Sequence, residues 1–120
     1  MKYMIMMFGD QAGMMEARSV DWIKEMIQFM TTMGEDLKKS GELVSEEGLA
    51  DPTQAKTVRI RNGAPVPTDG PFAESKESLA GYWIVDVENE ARAIEIASRV
   101  VAFIEGPVEV RQVMDAPPEF

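Results

Sequence analysis

The chain has 120 residues with neither cysteine nor histidine, and 21 acidic against 12 basic residues give it a formal net charge of -9. These gaps exclude a disulfide framework, a thiolate nucleophile, a zinc site built on sulfur or imidazole, and the usual general base near neutral pH; no metal or cofactor is expected. The acidic balance is a poor match to a phosphate backbone or an anionic membrane, so no nucleic-acid and no membrane partner is expected.

The length fits one complete domain able to bury its own core. No apolar run approaches the roughly 20 residues of a membrane-spanning helix, and the opening Met1 to Phe8 carries no signal-peptide cleavage region, which reads as a soluble cytoplasmic chain. Acid-base chemistry, if present, would fall to carboxylates, lysine, tyrosine or bound water.

Tyr3 to Phe8 is a continuous apolar run closed by Gly9-Asp10, and it predicts a strand buried on both faces. From Ser19 the period changes. Val20, Ile23, Ile27, Met30, Gly34 and Leu37 form one helical stripe and Trp22, Met26, Phe29 and Met33 an adjacent one, with Ser19 as N-cap and Gly41 where the helix ends. So wide an apolar face means that the helix meets more than one neighbour or leans over a pocket. Nine of the ten methionines fall within the first 33 residues, on the strand, the following loop and this helix. They are either accommodating core or the wall of an adaptable apolar pocket that Trp22, Tyr82 and Trp83 would bound.

Leu43-Val44 to Leu49 reads as a weaker strand, interrupted by Glu46, Glu47 and Gly48, and Asp51-Pro52 breaks the chain. Lys56 to Arg61 alternates, with Val58 and Ile60 on one face and Arg59 and Arg61 on the other. Asn62-Gly63 then signals a hairpin, and Ala64-Pro65-Val66-Pro67 can return only as an edge because proline donates nothing to a ladder. Leu79 to Val87 is the strongest strand. Glu88 or Asn89 opens a second helix with Ala93, Ile94, Ala97, Val100, Val101 and Ile104 inward, and Gly106-Pro107 stops it. Val108 to Val113 is the last strand, followed by an extended tail from Ala116 to Phe120.

With the hairpin removed, the order is βαββαβ, the split arrangement of ferredoxin-like α+β folds. Helices would cover one face of an antiparallel sheet and leave an apolar opposite face, which predicts a homodimer.

The segment Thr68-Asp69-Gly70-Pro71-Phe72-Ala73-Glu74-Ser75-Lys76-Glu77 packs turn and charge chemistry between two strand-like stretches. Together with Leu79 to Val87 and Val108-Glu109-Val110-Arg111 it resembles the YCII-related family in its Asp-Gly-Pro-Phe subgroup, and the likeness covers nearly the whole chain. The resemblance implies a dimeric α+β barrel, an architecture shared with muconolactone isomerase and small monooxygenases, with a cleft between sheet and helices. A His-Asp pair suggested as acid-base machinery in some relatives cannot be carried over, because this chain has no histidine. Some members are encoded with or fused to alternative sigma factors.

Asp69 is the leading candidate carboxylate, with Lys76 beside it to hold it ionised, or else it caps the turn. Glu74 and Lys76 complete the candidate catalytic set. Arg59, Phe72, Tyr82 and Arg111 are the candidate substrate-binding residues: two guanidiniums for a carboxylated substrate, an aromatic at the pocket and a phenolic proton. Glu109 and Arg111 share one strand face and need partners there, with Arg59 or Asp69 among the options. Two functions follow as expectations. One is a small cofactor-independent isomerase or lyase acting on a small organic acid beside the Asp-Gly-Pro-Phe loop; the other is a non-catalytic ligand-binding or partner-binding dimer, regulatory and linked to an alternative sigma factor.

Overall fold

Strand β1 (Lys2–Phe8) leads into a short helix α1 (Gln11–Ala17) and a long helix α2 (Val20–Ser40), and the chain returns as β2 (Leu43–Gly48). A 3-10 turn at Pro52–Gln54 precedes the hairpin β3 (Lys56–Arg61) and β4 (Ala64–Asp69); β5 (Leu79–Asp86), α3 (Glu90–Ile104) and β6 (Val108–Gln112) complete the chain. The computed structural model describes residues 1–9, 11–71 and 78–119, with the side chains of Gln11 and Ala12 excepted. The fold is mixed α+β: a four-stranded antiparallel sheet of order β2-β5-β1-β6, with the hairpin as a separate two-stranded sheet.

Alternation along β1 and β5 divides the sheet into two faces. Tyr3, Ile5, Trp83 and Val85 are buried beneath the helices, against Met33 and Leu37 of α2 and Ala93, Ile96, Ala97 and Val100 of α3. Each large apolar side chain so buried contributes about 1.5–3 kcal/mol. The opposite face carries Met4, Met6, Tyr82 and Ile84, aligned as Met4 with Ile84 and Met6 with Tyr82, and all are half-buried.

Helix ends follow local chemistry. Ser19 accepts the Trp22 amide at 3.1 Å, and Gly41, at φ 80°, closes α2 with bonds to the carbonyls of Leu37 and Lys38. Asn89 accepts the Arg92 amide at 3.0 Å to start α3. Asn62 and Gly63 both have positive φ, 51° and 79°, which is the two-residue hairpin turn that Asn-Gly favours.

Three expectations need correction. Residues 11–17 form a helix and not a loop; seven residues without acidic or basic end residues leave little local signal. Ile94 and Val101 are 49 % and 37 % exposed, so the inward face of α3 is the narrower set Ala93, Ile96, Ala97 and Val100. On α2, Val20 and Ile27 are exposed and only Met33, Gly34 and Leu37 are fully buried. On β3, where alternation left the inward face open, Val58 and Ile60 are exposed while Thr57 is buried, its hydroxyl donating to the Gly70 carbonyl at 2.7 Å. The hairpin lies outside the main sheet, and α2 contacts the sheet only with its C-terminal half.

The resulting molecule is a slab of 50 × 48 × 20 Å with a radius of gyration of 16.7 Å. A compact chain of this length has a radius of about 13.6 Å, and the projecting hairpin accounts for part of the difference. Among the described residues no helix is long and apolar enough to cross a membrane.

Candidate functional site

Where α2 lifts from the sheet it leaves a cleft of about 820 Å³. The C-terminal half of the helix is seated by Met33, Gly34 and Leu37, whereas Ile23, Met26 and Met30 stand over open space. Its N-terminal half is held instead by α3: Phe29 stacks on Phe103 with ring centroids 4.7 Å apart, and Trp22 meets the same ring at 5.7 Å. Arg18 lies over the Trp22 ring at 4.4 Å and donates to the Ile104 carbonyl. These contacts prop one end of the helix away from the sheet.

The floor of the cleft comes from the C-terminal end of β1, the start of β5 and the end of β2, and α1 closes one side with Met14. Met7, Met14, Met26 and Met30 put four thioethers on the wall beside Trp83. Of the nine methionines in the first 33 residues four thus line an apolar space bounded by the rings of Trp83 and Phe8, while Met33 is core. Trp22 does not line it, being stacked on Phe103, and Tyr82 projects from the other sheet face.

Two glycines make the geometry possible. At Gly81, a Cβ would stand 2.8 Å from the Glu47 carbonyl oxygen, so β2 and β5 approach closely at the cleft only because no side chain intervenes. At Gly34, a Cβ would stand 2.8 Å from Glu46 Oε2. The bare stretch of α2 therefore lets the Glu46 carboxylate lie against the helix. Glu46 is directly across the ladder from Trp83 and lines the cleft, and Lys38 Nζ is 3.9 Å from its Oε1. In the sequence Glu46 reads as an interruption of a strand, and simple alternation puts it on the face opposite Leu43; the bulge between Leu43 and Ser45 returns it to the same face.

The residues expected to form a site are placed elsewhere. Asp69 ends β4 directly opposite Lys56 and its carboxylate pairs with that ammonium, with 87 % of the side chain exposed. Arg59 is half-buried on β3, opposite Val66. Tyr82 and Arg111 share the sheet face away from the helices, Tyr82 beside Met6 and Arg111 beside Met4. Arg111 takes Glu109 as its partner at 2.7 Å, in place of the Arg59 or Asp69 contacts anticipated for that strand. Phe72, Glu74 and Lys76 lie outside the described residues. A smaller cleft of about 390 Å³ does adjoin Pro71, and the carboxylate on its wall, Asp51, accepts from the amide and hydroxyl of Thr53.

Among the described residues no group of three or more acidic side chains is arranged to hold a metal ion. The sequence profile described as the YCII-related domain matches residues 1–117. The chain belongs to the YCII-related family. A relative of this YCII-related chain, an uncharacterized protein of Rhizobium meliloti, is 27 % identical over 97 residues, which is 81 % of this chain and 77 % of the relative. The family profile spans every strand of the sheet and every residue that lines the cleft.

Proposed function

We propose that this YCII-related domain binds a small, largely apolar molecule in the methionine-lined cleft. The observation that carries the reading is the cleft itself: about 820 Å³ of space, walled mainly by thioethers, aliphatic groups and the rings of Trp83 and Phe8. Pockets of a few hundred to about 1,000 Å³ with apolar walls and few polar groups are the usual form of small-molecule sites. Methionine walls adapt to guests of different shape. A neutral fluorescent naphthalene should bind the intact chain, and Met26→Trp, which grows into the open space, should weaken that binding by about tenfold or more. Equal binding to both proteins, measured by fluorescence titration, would remove the cleft as the site.

The enzymatic alternative is proton transfer on a small organic acid beside the Asp-Gly-Pro-Phe segment, with Asp69, Glu74 and Lys76 catalytic. Its support is the smaller cleft beside Pro71, and the Asp69-Gly70-Pro71-Phe72 run itself favours the subgroup of that name. The main cleft favours it less, because its described walls carry no lysine or arginine to receive an acid.

The sheet order β2-β5-β1-β6 supports the ferredoxin-like reading, with the hairpin as an insertion between the second and third strands of the split βαββαβ unit. A homodimer formed by stacking the faces that carry Met4, Met6, Tyr82 and Ile84 completes the proposal. A second copy hides these apolar groups, with the Glu109–Arg111 pair of the same face already matched in charge. In analytical ultracentrifugation the protein should sediment as a dimer and Ile84→Asp as a monomer; a monomeric wild type at micromolar concentration would refute the assembly.

A further inference from the structure

We propose that the methionine-lined cleft selects a cation: an amine or quaternary ammonium on an apolar body, with Glu46 as its counter-ion. The inference rests on the reading of the cleft as a ligand site and adds the charge of the ligand.

The lining holds Glu46 and Glu47 among thioethers, an indole, the Phe8 ring and aliphatic groups; Glu46 is the one opposite Trp83 on the cleft face, whereas Glu47 is opposite Tyr82 on the other. Gly34 leaves room for the carboxylate against the helix: a Cβ there would stand 2.8 Å from Oε2 and the carboxylate would have to move aside. No described residue on the wall is basic. The nearby cations do not fill that role: Lys38 is 66 % exposed and reaches Oε1 only at 3.9 Å, a long solvent-facing pair that a bound ammonium can replace, and Arg18 is engaged by Trp22 and the Ile104 carbonyl.

An anionic guest would meet the Glu46 carboxylate across a largely apolar wall, where like charges repel more strongly than in bulk water. A cationic guest meets the opposite situation. Indole rings attract ammonium groups, thioethers are polarizable, and a net charge of -9 raises the local concentration of cations around the molecule. Selectivity for cations over acids of the same shape follows from these terms together.

The test uses the full chain and three fluorescent probes sharing a 2-naphthylmethyl body, which carries a trimethylammonium, a tert-butyl group or a carboxylate. The ammonium probe should bind about tenfold or more tightly than its neutral isostere, and the carboxylate probe most weakly. Glu46→Gln should abolish the preference of the ammonium over the neutral probe, and an unchanged circular dichroism spectrum reports that the variant folds. Lys38→Met, which removes the competing ammonium, should strengthen it. Equal binding of the cationic and neutral probes, or a preference that survives in Glu46→Gln, overturns the inference and leaves the cleft standing as an apolar site. If none of the probes binds the wild type, the cleft reading fails and the charge selectivity falls with it.

Discussion

Trp83→Ala is expected to lower the free energy of unfolding by about 3–5 kcal/mol, measured from urea transitions followed by circular dichroism. Trp83 is 4 % exposed at the centre of the sheet, between Ile5 on β1 and Glu46 on β2, and its indole forms both core and cleft wall. Truncation deletes a large buried surface and joins the vacated volume to the existing cleft. Domains of this kind have only about 5–15 kcal/mol in total, so the variant loses a large part of its stability. Trp83→Phe keeps most of the burial and should cost less. Ile60→Ala provides the contrast: at 70 % exposed on the hairpin, its loss should lie within about 0.5 kcal/mol. A cost below about 1 kcal/mol for Trp83→Ala would place the indole outside the core.

The second large effect concerns the pair Glu42–Arg92, at the end of β2 away from the cleft. Arg92 Nε donates to Glu42 Oε2 at 2.8 Å and its second terminal nitrogen to Oε1 at 2.9 Å, while Ser40 Oγ donates to Oε1 at 2.8 Å. This fork joins the exit of α2 to the first turn of α3 across 50 residues of sequence. The Arg92 hydrogen bonds, opposed by partial burial and reinforced by Ser40, hold the Glu42 carboxyl at about 2, well below its ordinary 4.5. Arg92 is correspondingly held even more firmly protonated by its hydrogen bond to Glu42.

A depressed carboxyl stabilises the fold above its unfolded pKa, and that contribution disappears as pH falls through the folded value. Between pH 4.5 and about 2, the unfolded chain takes a proton that folded Glu42 refuses. The stability tied to this group should therefore decline across that window, by no more than about 3 kcal/mol. Arg92→Met keeps the aliphatic stem and removes the fork. It should cost about 1.5–3 kcal/mol near neutral pH, and the gap from wild type should close toward pH 2. Other carboxylates titrate in both proteins, so the difference curve carries the result. Parallel curves throughout that range would show that the fork contributes nothing.

The principal strands and two long helices were legible because their signals are local: Ser19, Gly41 and Asn89 at helix ends, Asn62-Gly63 at the hairpin, and unbroken apolar runs at β1 and β5. Short α1 was not, since its helical state depends on surroundings more than on its own seven residues. The exposure of Val58 and Ile60 was equally hidden, because alternation gives two faces without saying which one meets the core. For the site, the methionine pattern pointed to the cleft, while its carboxylate did not stand out. Glu46 acquires its place through Gly34, twelve residues earlier on another element, and nothing in the spacing of the two betrays the contact.

The methionines also equip the molecule to be watched. Met7, Met14, Met26 and Met30 face the cleft, Met33 is sealed in the core at 1 % exposure, and Met15 and Met114 face solvent at 69 % and 63 %. Thioether methyl groups rotate rapidly and give narrow carbon–proton resonances, so the native sequence carries three classes of reporter with no added label. A guest in the cleft shifts the wall methyls and leaves the core and solvent signals in place. One spectrum then distinguishes occupancy of this space from a change in the whole fold.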